Sequence, residues 1–157
     1  MTGYLLPEAN IDWHNQTPLS QDLGDIYWSR DAGVPEKSHV FISPVKSQWP
    51  QLSTSSHFTI GELGFGFGLN FLLTVEQWRK KSTKGTLHYI AFENRPVSAN
   101  DLANLQALLP RAQVEELLQR YPLPFQARHV IWYDEHIRLT LVFDDALDAL
   151  RDTSAQV

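Results

Sequence analysis

The sequence predicts an α/β fold built on a parallel sheet. Three observations carry that expectation: a strand pattern at His57–Leu63, alternate glycines at Gly64, Gly66 and Gly68, and a helical pattern leading to a second strand pattern at Leu87–Glu93. Strand, helix and strand in one short unit imply a right-handed parallel crossover. Composition agrees: the 157 residues are 43% apolar and 20% charged, the balance of a folded domain.

Taken in order, the elements read as follows. The segment before Pro35 mixes turn formers with Trp13, Tyr27 and Trp28. A short strand is expected through Ile26–Trp28. A second is expected over Val40, Phe41 and Ile42, running on to Val45 and stopped around Pro44. Together they suggest a small β extension ahead of the main fold. Lys46 to Ser56 has the composition of a loop. His57–Leu63 reads as a buried strand, and a helix follows over Leu69–Lys81, with Phe71, Leu72, Val75 and Trp78 at helical spacing. Arg79, Lys80 and Lys81 in its last turn suit the negative end of the helix dipole. Gly85 lets the chain turn into Leu87–Glu93, a second buried strand.

Further on, Ser98 with Asp101 resembles a capping box opening a helix that carries Leu102, Leu105 and Leu109. Pro110 starts another helix. Its apolar face is Val114, Leu117 and Leu118, and Pro122 ends it. A hairpin is expected next, with arms Val130–Tyr133 and Ile137–Phe143 around Asp134–His136. Ile137, Leu139, Leu141 and Phe143 fall on one face of the second arm, Arg138 and Thr140 on the other. A short helix is expected over Ala146–Asp152.

Several function classes drop out. With no cysteine there is no disulfide framework, thiolate zinc site or cysteine nucleophile. A net charge of −5 disfavours general polyanion binding. Met1–Asn15 lacks the basic-then-apolar pattern of a signal peptide. No apolar run approaches the ~20 residues of a membrane span. A cytoplasmic protein is the expectation. The histidines show no metal-ligand pair at helical spacing and read as surface or satisfied core groups. No serine nucleophile elbow is present. The basic cluster Arg79, Lys80, Lys81 and Lys84 offers phosphate contact, but a solvated helix end is the commoner role.

The informative segment is Gly61–Asn70. Alternate glycines between strand and helix permit a tight, partly positive-φ turn. They also clear side chains from a surface where a flat ligand can lie near the helix N-terminus. Leu69 occupies the position of the third glycine of a dinucleotide fingerprint, and no Gly-Lys-Ser/Thr follows for a phosphate loop. Glu62 would repel phosphate and attract a cation. Glu93, ending the second strand, can accept both hydroxyls of a ribose. A ligand with a ribose, a positive charge and no phosphate fits, and S-adenosyl-L-methionine (SAM) is such a molecule. Against this, the glycines, Phe65 and Phe67 also suit a purely structural turn, and Asp145 suits a helix N-cap before Ala146.

The run Glu62-Leu63-Gly64-Phe65-Gly66-Phe67-Gly68-Leu69-Asn70-Phe71 closely resembles the motif of the methyltransferase domain of the bifunctional tRNA 5-methylaminomethyl-2-thiouridine biosynthesis enzymes. Weaker pieces agree in order: Asp25-Ile26-Tyr27-Trp28-Ser29 with Gly33 and Val40-Phe41, Phe92-Glu93 with Pro96, Asp134-Glu135, and Leu139 to Asp145. The resemblance implies a Rossmann-like class I methyltransferase fold, of which this chain is the first half of the sheet with a small N-terminal β extension. Residues 1–56 would be that extension and its loop. Residues 57–157 would be the first half of the SAM-binding domain.

Function follows from the same resemblance. The family domain transfers a methyl group from SAM to an aminomethyl group on C5 of the tRNA wobble uridine. FAD belongs to a C-terminal oxidoreductase domain found in many members and absent from this chain. Carried over by position, Glu62, Gly64, Phe65, Gly66, Gly68 and Asn70 would shape the methionine end of the SAM site. Glu93 would hold the ribose and Asp145 the adenine amino group. Two residues depart from the pattern: Phe67 stands where Thr is more frequent, and Asp144 where Gly is common. The catalytic acidic-Gly-Phe-Ala-Pro segment is expected beyond Val157. The chain is therefore expected to lack catalytic residues, to be inactive alone and to self-associate. Two other readings stay open: half of a nicotinamide-dependent oxidoreductase, and a non-catalytic interaction module of the same fold.

Overall fold

The computed structural model describes residues 6–29, 31–49, 57–81, 85–121 and 128–154. Strands β1 (Ile11–His14), β2 (Thr17–Ser20) and β3 (Asp25–Ile26) form an antiparallel three-stranded sheet. Asn15 and Gln16 join the first two with φ of 49° and 67°. Positive φ at both central residues gives the hairpin turn whose twist matches paired strands. The sequence reading misses this hairpin because Gln16 stands where glycine would announce it. The strand expected over Ile26–Trp28 is shorter and one residue earlier, and Trp28 lies beyond it, buried.

The strand expected over Val40–Val45 is not formed. Gly33 to Ser47 is a helical run: α1 (Gly33–Lys37), a π turn (Ser38–Ile42) and α2 (Ser43–Ser47). Val34, Phe41, Ile42 and Val45 recur at helical spacing and pack on the main core. Across the wider turn the Ser43 N–H donates to the Ser38 carbonyl. Pro44, which has no N–H to donate, then sits in the first turn of α2. The loop expected over Lys46–Ser56 is thus helical to Ser47, and residues 50–56 lie outside the described residues.

The main sheet begins with β4 (His57–Leu63). Helix α3 (Leu69–Lys80) leads to β5 (Thr86–Phe92). Next come α4 (Ala99–Leu102), a 3-10 turn (Ala103–Ala107) and α5 (Arg111–Arg120). The chain then forms β6 (Arg128–Trp132), β7 (Ile137–Val142) and α6 (Ala146–Ser154). Sheet order is β4–β5–β7–β6, with β4–β5 and β5–β7 parallel and β6–β7 antiparallel. The helix expected from Ser98 to Leu109 is real but tightens after Leu102. Its cap forms: Ser98 Oγ accepts from the Asp101 N–H at 3.1 Å and donates to the Asp101 carboxylate at 2.8 Å. Pro110 sits at the α5 N-cap; Pro122 lies outside the described residues.

Period-two alternation puts Leu87, Tyr89 and Ala91 of β5 and Ile137, Leu139 and Leu141 of β7 on one fully buried face. Phe71, Leu72, Val75 and Trp78 of α3, with Val114 and Leu117 of α5, join them in one core. On the opposite face Ile90, Phe92 and Val142 pack with Ala146 and Ala149 of α6. β4 departs from the expected buried strand. It edges the sheet among the described residues, with Ile60 buried and Leu63 71% exposed.

The basic cluster at the end of α3 is engaged within the fold. Arg79 pairs with Glu116 and Asp134, each at 2.9 Å, and Lys80 with Glu76 at 2.5 Å. The Lys81 ammonium donates to the Trp49 carbonyl. Lys84 lies outside the described residues.

Candidate functional site

Residues 64–68 carry the chain from the carboxyl end of β4 into α3. Gly64, Gly66 and Gly68 hold φ of 86°, 53° and 75°, the left-handed region where glycine has no steric penalty. The neighbouring strand pins this turn. The Gly64 N–H donates to the Phe92 carbonyl at 2.8 Å, and the Gly66 N–H to Glu93 Oε2 at 2.8 Å.

The three glycines differ in surroundings. A Cβ on Gly64 meets no atom within 4 Å. On Gly66 it would lie 3.3 Å from the Tyr27 ring. On Gly68 it would fall 2.7 Å from Phe65 and 3.1 Å from Leu117. Gly68 is therefore required by core packing, and Gly64 leaves room for a ligand. Gly68→Ala is expected to cost about 2–4 kcal/mol through overpacking and left-handed strain, and Gly64→Ala about 1–2 kcal/mol from strain alone. Urea unfolding of both variants checks this; equal losses would contradict the division.

Glu62 and Asn70 meet beside the turn. Asn70 Nδ2 donates to Glu62 Oε1 at 2.7 Å, and the Tyr89 hydroxyl to Glu62 Oε2 at 2.6 Å. Burial pushes the Glu62 carboxyl up to about 7, against the opposing pull of these two hydrogen bonds. Its folded value thus lies above its ordinary value of 4.5. The folded state holds the proton more tightly, so this group's contribution to stability is full below pH 4.5 and is lost as pH rises through about 7. Glu62→Gln is expected to flatten the fall in stability across that window. Denaturant titrations at several pH values check it, and an unchanged slope would assign the fall elsewhere.

Glu93 directly follows the neighbouring strand β5 and is buried. Besides Gly66, the Arg95 N–H donates to its Oε1 at 2.7 Å. Burial raises its pKa, and backbone N–H bonds, that from Gly66 foremost, oppose the rise. Backbone N–H groups of Phe65 and Asn94 face it as well, so the carboxylate is met by four backbone donors.

A cavity of about 100 Å³ opens beside the turn. Of the sequence-predicted residues, Glu62, Gly64, Phe65, Gly66 and Asn70 line it. Glu93 joins through Gly66. Gly68 packs inward, away from the lining. Asp145 follows β7 and so lies at the same carboxyl end of the sheet, but it caps α6. Its Oδ1 accepts from the Leu147 N–H at 2.9 Å and the Asp148 N–H at 3.4 Å. Phe67 and Leu69 line it too, and sequence reasoning misses the remaining three, Tyr27, Trp28 and Lys37. The N-terminal segment delivers them. Phe67 docks that segment: it is 2% exposed, with ring centroids 4.4 Å from Trp28, 5.0 Å from Tyr27 and 5.8 Å from Trp13.

No family model matches the chain. It is 36% identical over 148 residues to the tRNA 5-methylaminomethyl-2-thiouridine biosynthesis bifunctional protein MnmC of Legionella pneumophila (strain Corby), covering 89% of this chain and 22% of that protein. Identity to the protein of the same name from Marinobacter nauticus is 37% over 150 residues, covering 90% and 24%. For that of Hahella chejuensis it is 34% over 161 residues, covering 98% and 26%. The chain spans about a quarter of the length of these curated relatives. The crystal structure of MNMC2 from Aquifex aeolicus superposes with a TM-score of 0.62 at 20% identity, covering 93% of this chain and 45% of that one. At that identity the likeness bears on fold, and the fold is the Rossmann-like α/β class expected, with its N-terminal β extension. The chain is thus a relative of one part of the tRNA 5-methylaminomethyl-2-thiouridine biosynthesis bifunctional proteins, the family that its glycine motif resembles.

Proposed function

We propose that the chain carries the SAM-binding part of a methyltransferase that acts on the aminomethyl group at C5 of the tRNA wobble uridine. The observation that carries the reading is the glycine turn flanked by two carboxylates, Glu62 and Glu93, at the carboxyl ends of adjacent parallel strands. Ligands of open α/β sheets bind at that end. Acids on both sides disfavour a pyrophosphate and favour a ribose with a cation. The names of the relatives support the tRNA substrate.

The residues present fit SAM. Asn70 Oδ1 is buried without a hydrogen-bond partner among the described residues, an acceptor ready for a ligand donor. Gly64 leaves an open surface for the methionine chain, and Glu93 is the carboxylate we assign to the ribose hydroxyls, which would take the place of some of its backbone donors. Bound SAM supplies an electrophilic methyl group on a sulfonium. The chain's own task is to fix the two ends of that molecule and exclude water around them.

Aligning the amine and holding it deprotonated needs a further acid or amide near the methyl group. We place that group, and FAD with its oxidoreductase activity, in parts of the relatives that this chain does not match. No helix among the described residues is long and apolar enough to cross a membrane. A cytoplasmic location accords with a tRNA substrate.

The test is methyl transfer from radiolabelled SAM to tRNA carrying 5-aminomethyluridine, run on this chain and on a protein of the relatives' full length. Transfer by the longer protein and none by the 157 residues alone is the expected result. Absence of transfer by both would contradict the substrate.

A further inference from the structure

We propose that Lys37 binds the carboxylate of an α-amino-acid ligand end beside the glycine turn, with Glu62 and Asn70 holding its ammonium. The proposal rests on the SAM reading above and deepens it by naming the residue that reads the methionine carboxylate.

Size comes first. A typical ligand pocket holds roughly 300–1,000 Å³, whereas this cavity holds about 100 Å³. It takes a head group and not a whole nucleoside.

Charge comes second. The lining brings one acid, Glu62 from β4, together with one base, Lys37 from α1. They form no direct ion pair, yet the Lys37 charge steadies the Glu62 carboxylate. Neither a hydrogen bond nor an ion pair engages the Lys37 ammonium among the described residues. A polyanion would meet Glu62, and a simple cation would meet Lys37. A zwitterion satisfies both.

Hydrogen bonding comes third. Glu62 is oriented by Asn70 Nδ2 and the Tyr89 hydroxyl. The bond from Nδ2 fixes the Asn70 amide, which leaves Asn70 Oδ1 buried and unpartnered beside the carboxylate. Two acceptors side by side suit an ammonium, which carries three donors. The flexible Lys37 stem lets its ammonium follow the carboxylate of the same head group. The helical run Gly33–Ser47, in place of the strand the sequence suggests, is what brings Lys37 to the cavity.

The test is calorimetric titration of the chain and its Lys37→Met and Lys37→Arg variants. One probe is S-adenosylhomocysteine, which has ammonium and carboxylate. The other is S-(5′-adenosyl)-3-thiopropylamine, which keeps the amine and lacks the carboxylate. Lys37→Met is expected to weaken S-adenosylhomocysteine by about 10- to 100-fold, the worth of one charge-assisted bond. It should leave the amine within about twofold of the unaltered chain, and Lys37→Arg should restore most of the loss. Equal loss for both probes would make Lys37 structural and overturn the proposal, as would no loss for either. If the unaltered chain binds both probes equally well, no carboxylate subsite exists although the cofactor reading stands. Failure to bind either probe would remove the cofactor reading and this proposal together.

Discussion

Phe67→Ala is expected to remove about 3–5 kcal/mol of stability, the usual cost of deleting a buried aromatic ring. The ring is 2% exposed and meets Trp13, Tyr27 and Trp28 edge-on. Such pairs add stabilisation beyond area burial. The residue also joins two parts of the fold, because its partners all belong to the N-terminal segment. The variant should therefore release Tyr27 and Trp28 from the cavity wall. Urea unfolding followed by tryptophan fluorescence measures the loss, and a cost below about 1 kcal/mol would mean that these aromatics do not form a core. The same packing accounts for phenylalanine where the resemblance leads one to expect threonine: here the side chain serves the interior.

Glu93→Ala is expected to lower affinity for SAM and S-adenosylhomocysteine by about 100-fold or more, since the two charge-assisted bonds proposed to ribose would be lost. The Gly66 and Arg95 N–H groups also lose their acceptor. The turn then loses part of its tie to β5, and only the Gly64 to Phe92 bond remains of the two described. Calorimetry on the chain and the variant measures the affinity. An unchanged value would remove Glu93 from the site and leave it as a brace for the glycine turn.

Much of this was legible before any coordinates. Leu87, Tyr89 and Ala91 alternate, Phe71, Leu72, Val75 and Trp78 recur at helical spacing, and the glycines sit between them; local periodicity alone places the turn at a strand–helix junction. Val40–Val45 misled because a short apolar run has no decisive period, and Pro44 looked like a stop when a π turn absorbs it. β4 reads as buried because Phe58 and Ile60 alternate at the head of a strand–helix–strand unit, while its neighbours in space decide how much of it is covered. Gly64 and Gly68 look alike in sequence, and only the nearness of Phe65 and Leu117 separates them. Lys37 carried no signal at all. Its place at the cavity depends on how a distant helix docks, which is tertiary information. Asp145 was open to two roles, and its hydrogen bonds are those of a helix cap.

On the reading proposed above, the glycine turn with Glu62 and Glu93 holds SAM. The most direct test of that reading is a calorimetric titration of the chain with S-adenosylhomocysteine and, separately, with NAD⁺. Saturable one-to-one binding of S-adenosylhomocysteine, strengthening by about tenfold from pH 6 to pH 8 as Glu62 ionises, with no binding of NAD⁺, is the predicted result. Binding of NAD⁺, or of neither ligand, would contradict it.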